Sequence, residues 1–455
     1  MKQLKRETLP GLRIGITVRT KLASIAQVAR RDKDAKFCSL AYLMSSNTLK
    51  ESLKRLNNTA SPGIDKETKE SYKVHLDENV SNLLIKLKKG SYRPQPIKRQ
   101  YIPKAGSDKM RPLGIPVLED KIVQGALVII LQSIYEEDFL PISFGFRPNK
   151  SCHDALKNLS NDIMKKKVNY IVEADIKGFF DHVNHEWMMK FLKLRINDSR
   201  ILALTKRFLK AGILEKGKFI EITEGVAQGG SLSPLLANIY LHYTLDLWFT
   251  KVVVKHCKGE CYLTRYADDS VACFQYEEDA KAFYKSLKVR LSKFELNIAE
   301  EKTKIIEFGR FAEERIKRKG GKKPETFDFL GFTHYCSKSR KGNFKLKWKT
   351  ASKKFRTKVN EFNKWIKENR NLPLGLIWEK VNQKLQGHYN YYGVSDNWGN
   401  LLKYKRQIIK SMYYWLKKRS QRTKLNWDKI AKLLEYYPLV NPKPNSLVNL
   451  NPTYV

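Results

Sequence analysis

The chain has 455 residues, 42% of them apolar, and carries 87 lysines and arginines against 46 aspartates and glutamates, a formal charge of +41. This composition excludes a disordered chain; the longest apolar run, ALVIIL at 126–131, is too short to span a bilayer; and the charged start MKQLKRETLPGL has no apolar stretch like a signal peptide's. So large a positive surplus destabilises a compact fold unless a polyanion relieves it, so the expected protein is soluble and intracellular, binds nucleic acid and does not associate with membranes.

In chain order, residues 1–90 carry the spacing of polar helices, with a turn in ASPGIDKET (60–68) through Pro62 and Gly63. The prolines of SYRPQPIKRQYIPKAGSDKMRPLGIP (91–116) forbid long helices, and its β-prone residues predict short strands or hairpin arms. Helical spacing returns over 118–135, where Leu118, Ile122, Ala126, Ile129 and Ile130 share one side. NYIVEADIKGFFDHV (169–183) opens as a strand: Tyr170, Val172 and Ala174 alternate with Ile171, Glu173 and Asp175, and Gly178 ends it. KGKFIEITEGVAQGGSLSPLLANIYL (216–241) predicts a strand, a glycine turn and a helix starting near residues 231–234.

CYLTRYADDSVACF (261–274) predicts two apolar strands with Asp268 and Asp269 at the hairpin turn between them. RIKRKGGKKPE (315–325) predicts a basic loop before the apolar FDFLGF. Beyond 350, Phe355, Val359, Phe362 and Ile366 recur at helical spacing, as do Leu374, Trp378, Val381 and Leu385, then Ile408, Met412, Trp415 and Leu416. This predicts a small helical domain. Residues 335–424 hold 24 basic and 4 acidic residues, so a net +20, half of the whole surplus, lies in 90 residues. Of the six cysteines only CKGEC (257–261) is a close pair, and no second pair answers it at zinc-binding spacing.

The acids point to chemistry. If Asp175 and the Asp268–Asp269 turn are neighbours in one sheet, their carboxylates converge and cannot all stay ionised without a counter-charge. Hard divalent cations supply it: Mg²⁺ favours a few carboxylates together with substrate phosphates, and two such ions suit phosphoryl transfer. YADD alone would favour a plain surface turn.

The ordered set resembles a reverse transcriptase of the group II intron-encoded kind. RPLGIP (111–116), DIKGFFD (175–181), AQGGSLSPLLANIYL (227–241), YADD (266–269), EKTKI (301–305) and FLGF (329–332) are similar to that family's motifs and follow in its order, and GHYNYYGV (387–394) looks like part of its thumb, or maturase, domain. The resemblance implies an α/β (α+β) right-hand polymerase. Its fingers and palm would carry an antiparallel palm sheet, followed by an α-helical thumb/maturase domain. Residues 1–90 would be an N-terminal extension with the outer fingers, 91–335 fingers and palm, 345–435 the thumb, and 436–455 a tail.

The resemblance also implies roles. Asp175, Asp268 and Asp269, with the Ile176 backbone, would hold two Mg²⁺ ions, with Mn²⁺ as a substitute. Lys104 and Arg111 would grip the incoming triphosphate, Phe180 would pack under its sugar and favour deoxynucleotides, Gln228 and Gly229 would line its pocket, and Lys302 would stand beside the leaving pyrophosphate. Core packing for Phe180 and a solvated loop for Lys104 are the plainer alternatives. Leu330, Gly331 and Phe332 would form the primer grip. Arg265, His388, Tyr389, Tyr391 and Tyr392 would contact RNA or template–primer, although at least two of the tyrosines are expected to fill the helical core. The implied partners are group II intron RNA, an RNA template with a DNA primer, dNTPs and target DNA; a homodimer through the N-terminal half stays open. The chain holds no Cys or His beyond His388, so the metal endonuclease of many relatives is not expected. A bacterial cytoplasmic setting is expected ahead of an organelle. Two other readings stand beside this one: a splicing maturase whose polymerase activity is dispensable, and a domesticated reverse transcriptase in host defence.

Overall fold

A computed structural model of the chain describes residues 16–103, 110–420, 424–443 and 448–450. Helices α1 (Ile16–Arg31), α2 (Ser46–Arg55), α3 (Lys69–Val74) and α4 (Leu76–Lys88) come first. Ser45 accepts from the Thr48 N–H to start α2, and Thr68 with Ser71 forms a capping box on α3. The proline-rich stretch forms the antiparallel hairpin β1 (Ile97–Pro103) and β2 (Met110–Ile115). The apolar helix α5 (Leu118–Asp138) follows, with Ile122, Ala126 and Ile130 fully buried.

Next are α6 (Cys152–Lys165), β3 (Tyr170–Ala174), α7 (His185–Arg195), α8 (Ser199–Leu209), β4 (Ile213–Glu215) and β5 (Lys218–Ile220). Helix α9 (Ser233–Leu241) runs into two π-helical turns, His242–Asp246 and Phe249–Val253, and ends in the single turn α10 (Val254–His256). The acidic hairpin is β6 (Cys261–Tyr266) and β7 (Asp269–Phe274), followed by α11 (Glu277–Ser292), β8 (Lys304–Glu307) and α12 (Ala312–Arg318). A last meander, β9 (Phe327–Phe329), β10 (Phe332–Lys338) and β11 (Phe344–Thr350), leads to the helices α13 (Ser352–Asn369), α14 (Leu374–Tyr392), α15 (Trp398–Lys417) and α16 (Trp427–Tyr436).

Three sheets result. The first has the order β2-β1-β4-β5, with β1 and β4 parallel; the second, β6-β7-β3-β8, is antiparallel throughout; the third is β11-β10-β9. The second sheet is covered on both faces. From β3 and β7, Val172, Ala174, Ala272 and Phe274 enter one core, shared with α5, α7 and α9. Ile171, Val271 and Cys273 enter another, shared with α6, β10, β11 and the C-terminal helices. Alternation along a strand sends neighbours to opposite faces, so both of these strands read as continuous apolar runs.

Two expectations shift. The start of the basic 315–325 stretch is helical: α12 begins with Glu313 and Glu314 in its first turn, and Lys317 pairs with Glu313 at 2.8 Å. Residue 335 lies inside β10, paired with Lys347, so the sheet continues to Thr350 before the helices begin. All six cysteines are free, and among the described residues no helix is long and apolar enough to cross a membrane.

Candidate active site

Strand pairing brings the separated acids together. β3 lies between β7 and β8, with Ala174 opposite Ser270. Asp175 and Asp269 are the residues next beyond this last pair, at one end of the sheet, and Asp175 is close enough to repel both Asp268 and Asp269. Asp268 occupies the two-residue turn closed by the pair Tyr266 and Asp269. In the same turn Ala267 has a φ of +56°, a left-handed conformation that costs a residue with a Cβ about 1–3 kcal/mol and persists only where its surroundings enforce it.

The electrostatics reflect this crowding. Loss of hydration raises the Asp268 carboxyl above its ordinary range, and Asp175 adds repulsion while Arg111 and Arg265 oppose it. Asp269 is pushed up to about 6, first by loss of hydration, then by Asp268 and Asp175, against the pull of Lys354 and Lys302. As a residue Asp269 stays exposed, so repulsion from its two neighbours is the cause that persists in water. Lys302 Nζ pairs with Asp175 Oδ2, and this bond raises the lysine's own pKa. Among the described residues no three His, Cys, Asp or Glu side chains already form a metal-sized cage. The donor set still fits Mg²⁺, which takes one or two carboxylates and leaves its other positions to water and substrate phosphates. The repulsion that Asp268 and Asp175 add at Asp269 is what a dication relieves.

Around the acids, the exposed Arg111 of β2 stands near enough for its charge to lower the Asp268 carboxyl. Lys104 lies outside the described residues. The Gly114 N–H donates to the Gln228 carbonyl at 2.6 Å, tying the glycine turn to β2. Gly229 has a φ of +118°, and a Cβ there would strike the Gly114 carbonyl oxygen. The close approach that demands glycine is thus to the strand carrying Arg111. Phe180 is half-buried in the 3₁₀ turn Phe179–Asp181, edge-on to Phe179 at 5.4 Å. It lines a cleft of about 330 Å³ with Arg99, Pro112, Gly114 and Gln228. Ile176 forms an isolated bridge with Ile298, and the flanking bonds are made by its neighbours: Ala299 N–H to Asp175 O and Lys177 N–H to Asn297 O, both 2.8 Å.

Leu330 and Gly331 form the two-residue turn between β9 and β10 with φ of +49° and +77°, the both-positive pattern of a type I′ hairpin. Phe332 is fully buried behind it. Tyr391 Oη donates to the Leu330 carbonyl at 2.9 Å, and the Tyr391 carbonyl meets His153 Nε2 at 2.7 Å. Half-buried Tyr391 thereby ties the turn to α14 and α6.

Arg265 and His388, assigned to RNA contact, are instead core, and Tyr389 and Tyr392 are the two tyrosines that fill it, as expected. Arg265 has no exposed side-chain surface and pairs with Asp246. His388 stacks on Tyr404 at 3.8 Å, and Tyr389 and Tyr392 are buried with it. The signal was present in α14: Trp378, Val381, Leu385, His388, Tyr389 and Tyr392 continue one apolar stripe at three- and four-residue steps. Sequence reasoning missed Lys354, whose charge reaches Asp269 from the first turn of α13; nothing local distinguishes it from the many lysines around it. It also missed Asn238 and Asp246, the partners of Arg265.

An antiparallel sheet that gathers acids at one end, with the Arg111 charge of the hairpin sheet reaching them, has the layout of a right-hand polymerase fold. Residues 102–334 match the family model for reverse transcriptase (RNA-dependent DNA polymerase), and the chain belongs to that family. It is similar to the group II intron-encoded protein LtrA of Lactococcus lactis subsp. cremoris, 46% identical over 179 residues that make up 39% of this chain and 29% of that protein. It is similar also to protein YkfC of Escherichia coli K12, 40% identical over 184 residues, 40% of this chain and 48% of that one. Nuclear intron maturase 1, mitochondrial, of Arabidopsis thaliana shares 26% identity over 95 residues, 21% of this chain and 13% of that protein. Each match thus spans less than half of the relative's own length.

Proposed function

We propose that the protein is an RNA-directed DNA polymerase of a group II intron, extending a primer 3′-hydroxyl with deoxynucleotides on an RNA template, and that it binds intron RNA to assist splicing and retrohoming. The register that ends at Ala174 and Ser270, and so leaves Asp175 beside Asp269 at one end of the sheet with Asp268 in the adjoining turn, carries this reading. In it, residues 91–335 act as fingers and palm, with the rest of β10 and β11 completing their last sheet to Thr350, and the helices within 345–435 act as thumb. Asp175, Asp268, Asp269 and the Ile176 carbonyl would hold divalent ions, Mg²⁺ or Mn²⁺, which when bound make the primer hydroxyl more acidic and neutralise phosphate charge.

The chain's own groups do the rest. Arg111 and Lys104 orient the triphosphate by charge-assisted bonds, and the Gln228–Gly229 turn fixes the strand that carries Arg111. Phe180 fills the space that a ribose 2′-hydroxyl would need. Lys302 keeps a positive charge beside Asp175 on the leaving-group side. The turn at residues 330–332, held by Tyr391, supports the primer end.

Primer extension on an RNA template with Mg²⁺ is the test. Wild-type protein should synthesise DNA, and Asp268→Ala should reduce synthesis at least a thousandfold, of order the loss of a main electrostatic contributor, while RNA binding persists. Undiminished synthesis by Asp268→Ala defeats the assignment. In the same assay Phe180→Val should admit ribonucleotides; unchanged sugar discrimination would return Phe180 to a packing role. The net +20 of residues 335–424 favours a second reading, a splicing maturase whose polymerase is dispensable. Splicing of intron precursor by Asp268→Ala protein at the wild-type rate would show that splicing does not need the polymerase.

A further inference from the structure

We infer that Arg265, with Asn238, Ser143 and Asp246, is a positioning clamp that sets the turn carrying Asp268; the inference rests on the polymerase reading above. Guanidinium has five N–H donors in a rigid fork, and here each meets an acceptor. Nε and Nη2 donate to Asp246 Oδ1 and Oδ2 at 2.7 and 2.6 Å. Nη1 donates to Asn238 Oδ1 at 3.0 Å and to the Ala267 carbonyl at 2.8 Å, and Nη2 reaches Ser143 Oγ at 2.6 Å. Both charged side chains are wholly buried. Such a pair adds little net stability, because desolvating the two ions offsets their attraction; what it fixes is geometry.

The fixed point is the peptide entering Asp268. Ala267, at a φ of +56°, is gripped on both sides. Its carbonyl accepts from Arg265. Its nitrogen lies against Gly145, where any Cβ would collide with it. Asn238 closes the loop by donating Nδ2 to the Gly145 carbonyl at 2.7 Å while accepting from Arg265. The backbone of Arg265 is tied to the same segment, its N–H to Ile142 O and its carbonyl from Phe144 N–H. A left-handed alanine is thereby enforced by a built network, and Asp268 follows it directly.

The π-helical turn is part of the device. Asn238 and Asp246 are eight residues apart, and on an α-helix they would point about 80° away from each other. The wider turn at His242–Asp246 takes more residues per revolution and so returns Asp246 to the side of Asn238, where one guanidinium reaches both. Arg265, Asn238, Ser143 and Asp246 touch no reacting atom; they act through the placement of Asp268.

Arg265→Lys tests the clamp, since one ammonium keeps a charge against Asp246 but cannot also span Asn238, Ser143 and the Ala267 carbonyl. Primer extension should show kcat falling roughly ten- to a hundredfold, the usual penalty for a misplacement near 1 Å. KM for dNTP and affinity for template–primer should stay within about twofold, since these interactions bind rather than position. Mn²⁺ affinity of the protein, followed by EPR, should fall together with kcat. A folded Arg265→Lys with wild-type kcat and Mn²⁺ affinity overturns the clamp, as does a loss confined to template–primer affinity. If that variant does not fold, Ser143→Ala, which deletes a single bond, is judged by the same criteria with a smaller expected loss of two- to fivefold. A wild-type protein without polymerase activity would defeat the parent reading instead, and the Mn²⁺ comparison would still decide the clamp.

Discussion

With its carboxyl pushed up to about 6, Asp269 holds a proton in the folded protein that it would release near pH 4 in the unfolded chain. Its ionisation therefore weakens the fold as pH rises through the window from about 4 to 6. Asp268, Asp175, Glu173, Lys354 and Lys302 stand around it. A dication competes with that proton, so Mn²⁺ affinity should rise roughly tenfold between pH 5 and 7 and level off above. A flat Mn²⁺ titration across this range would remove Asp269 from the metal site. The two turn acids were legible because a double charge between apolar strands is a local anomaly. Arg265 was not: its side-chain acceptors lie 19 to 122 residues away in sequence, and an arginine beside an acidic turn looks the same whether it faces RNA or the core.

At the scale of elements, the glycine turn at 227–230 acts as a joint between two sheets' worth of function. Gly229→Ala must place a Cβ on the Gly114 carbonyl while holding a φ of +118°, at a cost of about 1–3 kcal/mol. It should lower the denaturation midpoint and raise KM for dNTP, because β2 and Arg111 shift with it. Unchanged values for both would mean that β2 and the turn do not move as one. The helices at 118–135, after the glycine turn and beyond 350, and the acidic hairpin, were predictable from periodicity and turn chemistry. The two π-helical turns after α9 were not, because their apolar spacing passes for an ordinary helix and the extra residue per turn shows only against its partners. Residue 335 misled as a limit because the loop after β10 is polar, although β11 completes the same sheet.

For the whole molecule, +41 of formal charge with a local net of +20 over residues 335–424 predicts binding governed by phosphates. RNA affinity should fall by roughly a thousandfold or more between 50 and 200 mM salt, the range for six to ten phosphate contacts. Asp268→Ala should leave that slope unaltered, and a salt-insensitive affinity would point to recognition of another kind. The antiparallel sheet has a further consequence, since its two faces belong to different cores. Ile171, Val271 and Cys273 belong to one apolar cluster with α6 that extends outward to Trp348, Phe362 and Tyr392. A chain cut at residue 335 would keep every acid of the site and α6, yet bare the outer part of that cluster. Shortened versions of this architecture must therefore find a substitute for that outer layer before they can shed the tail helices.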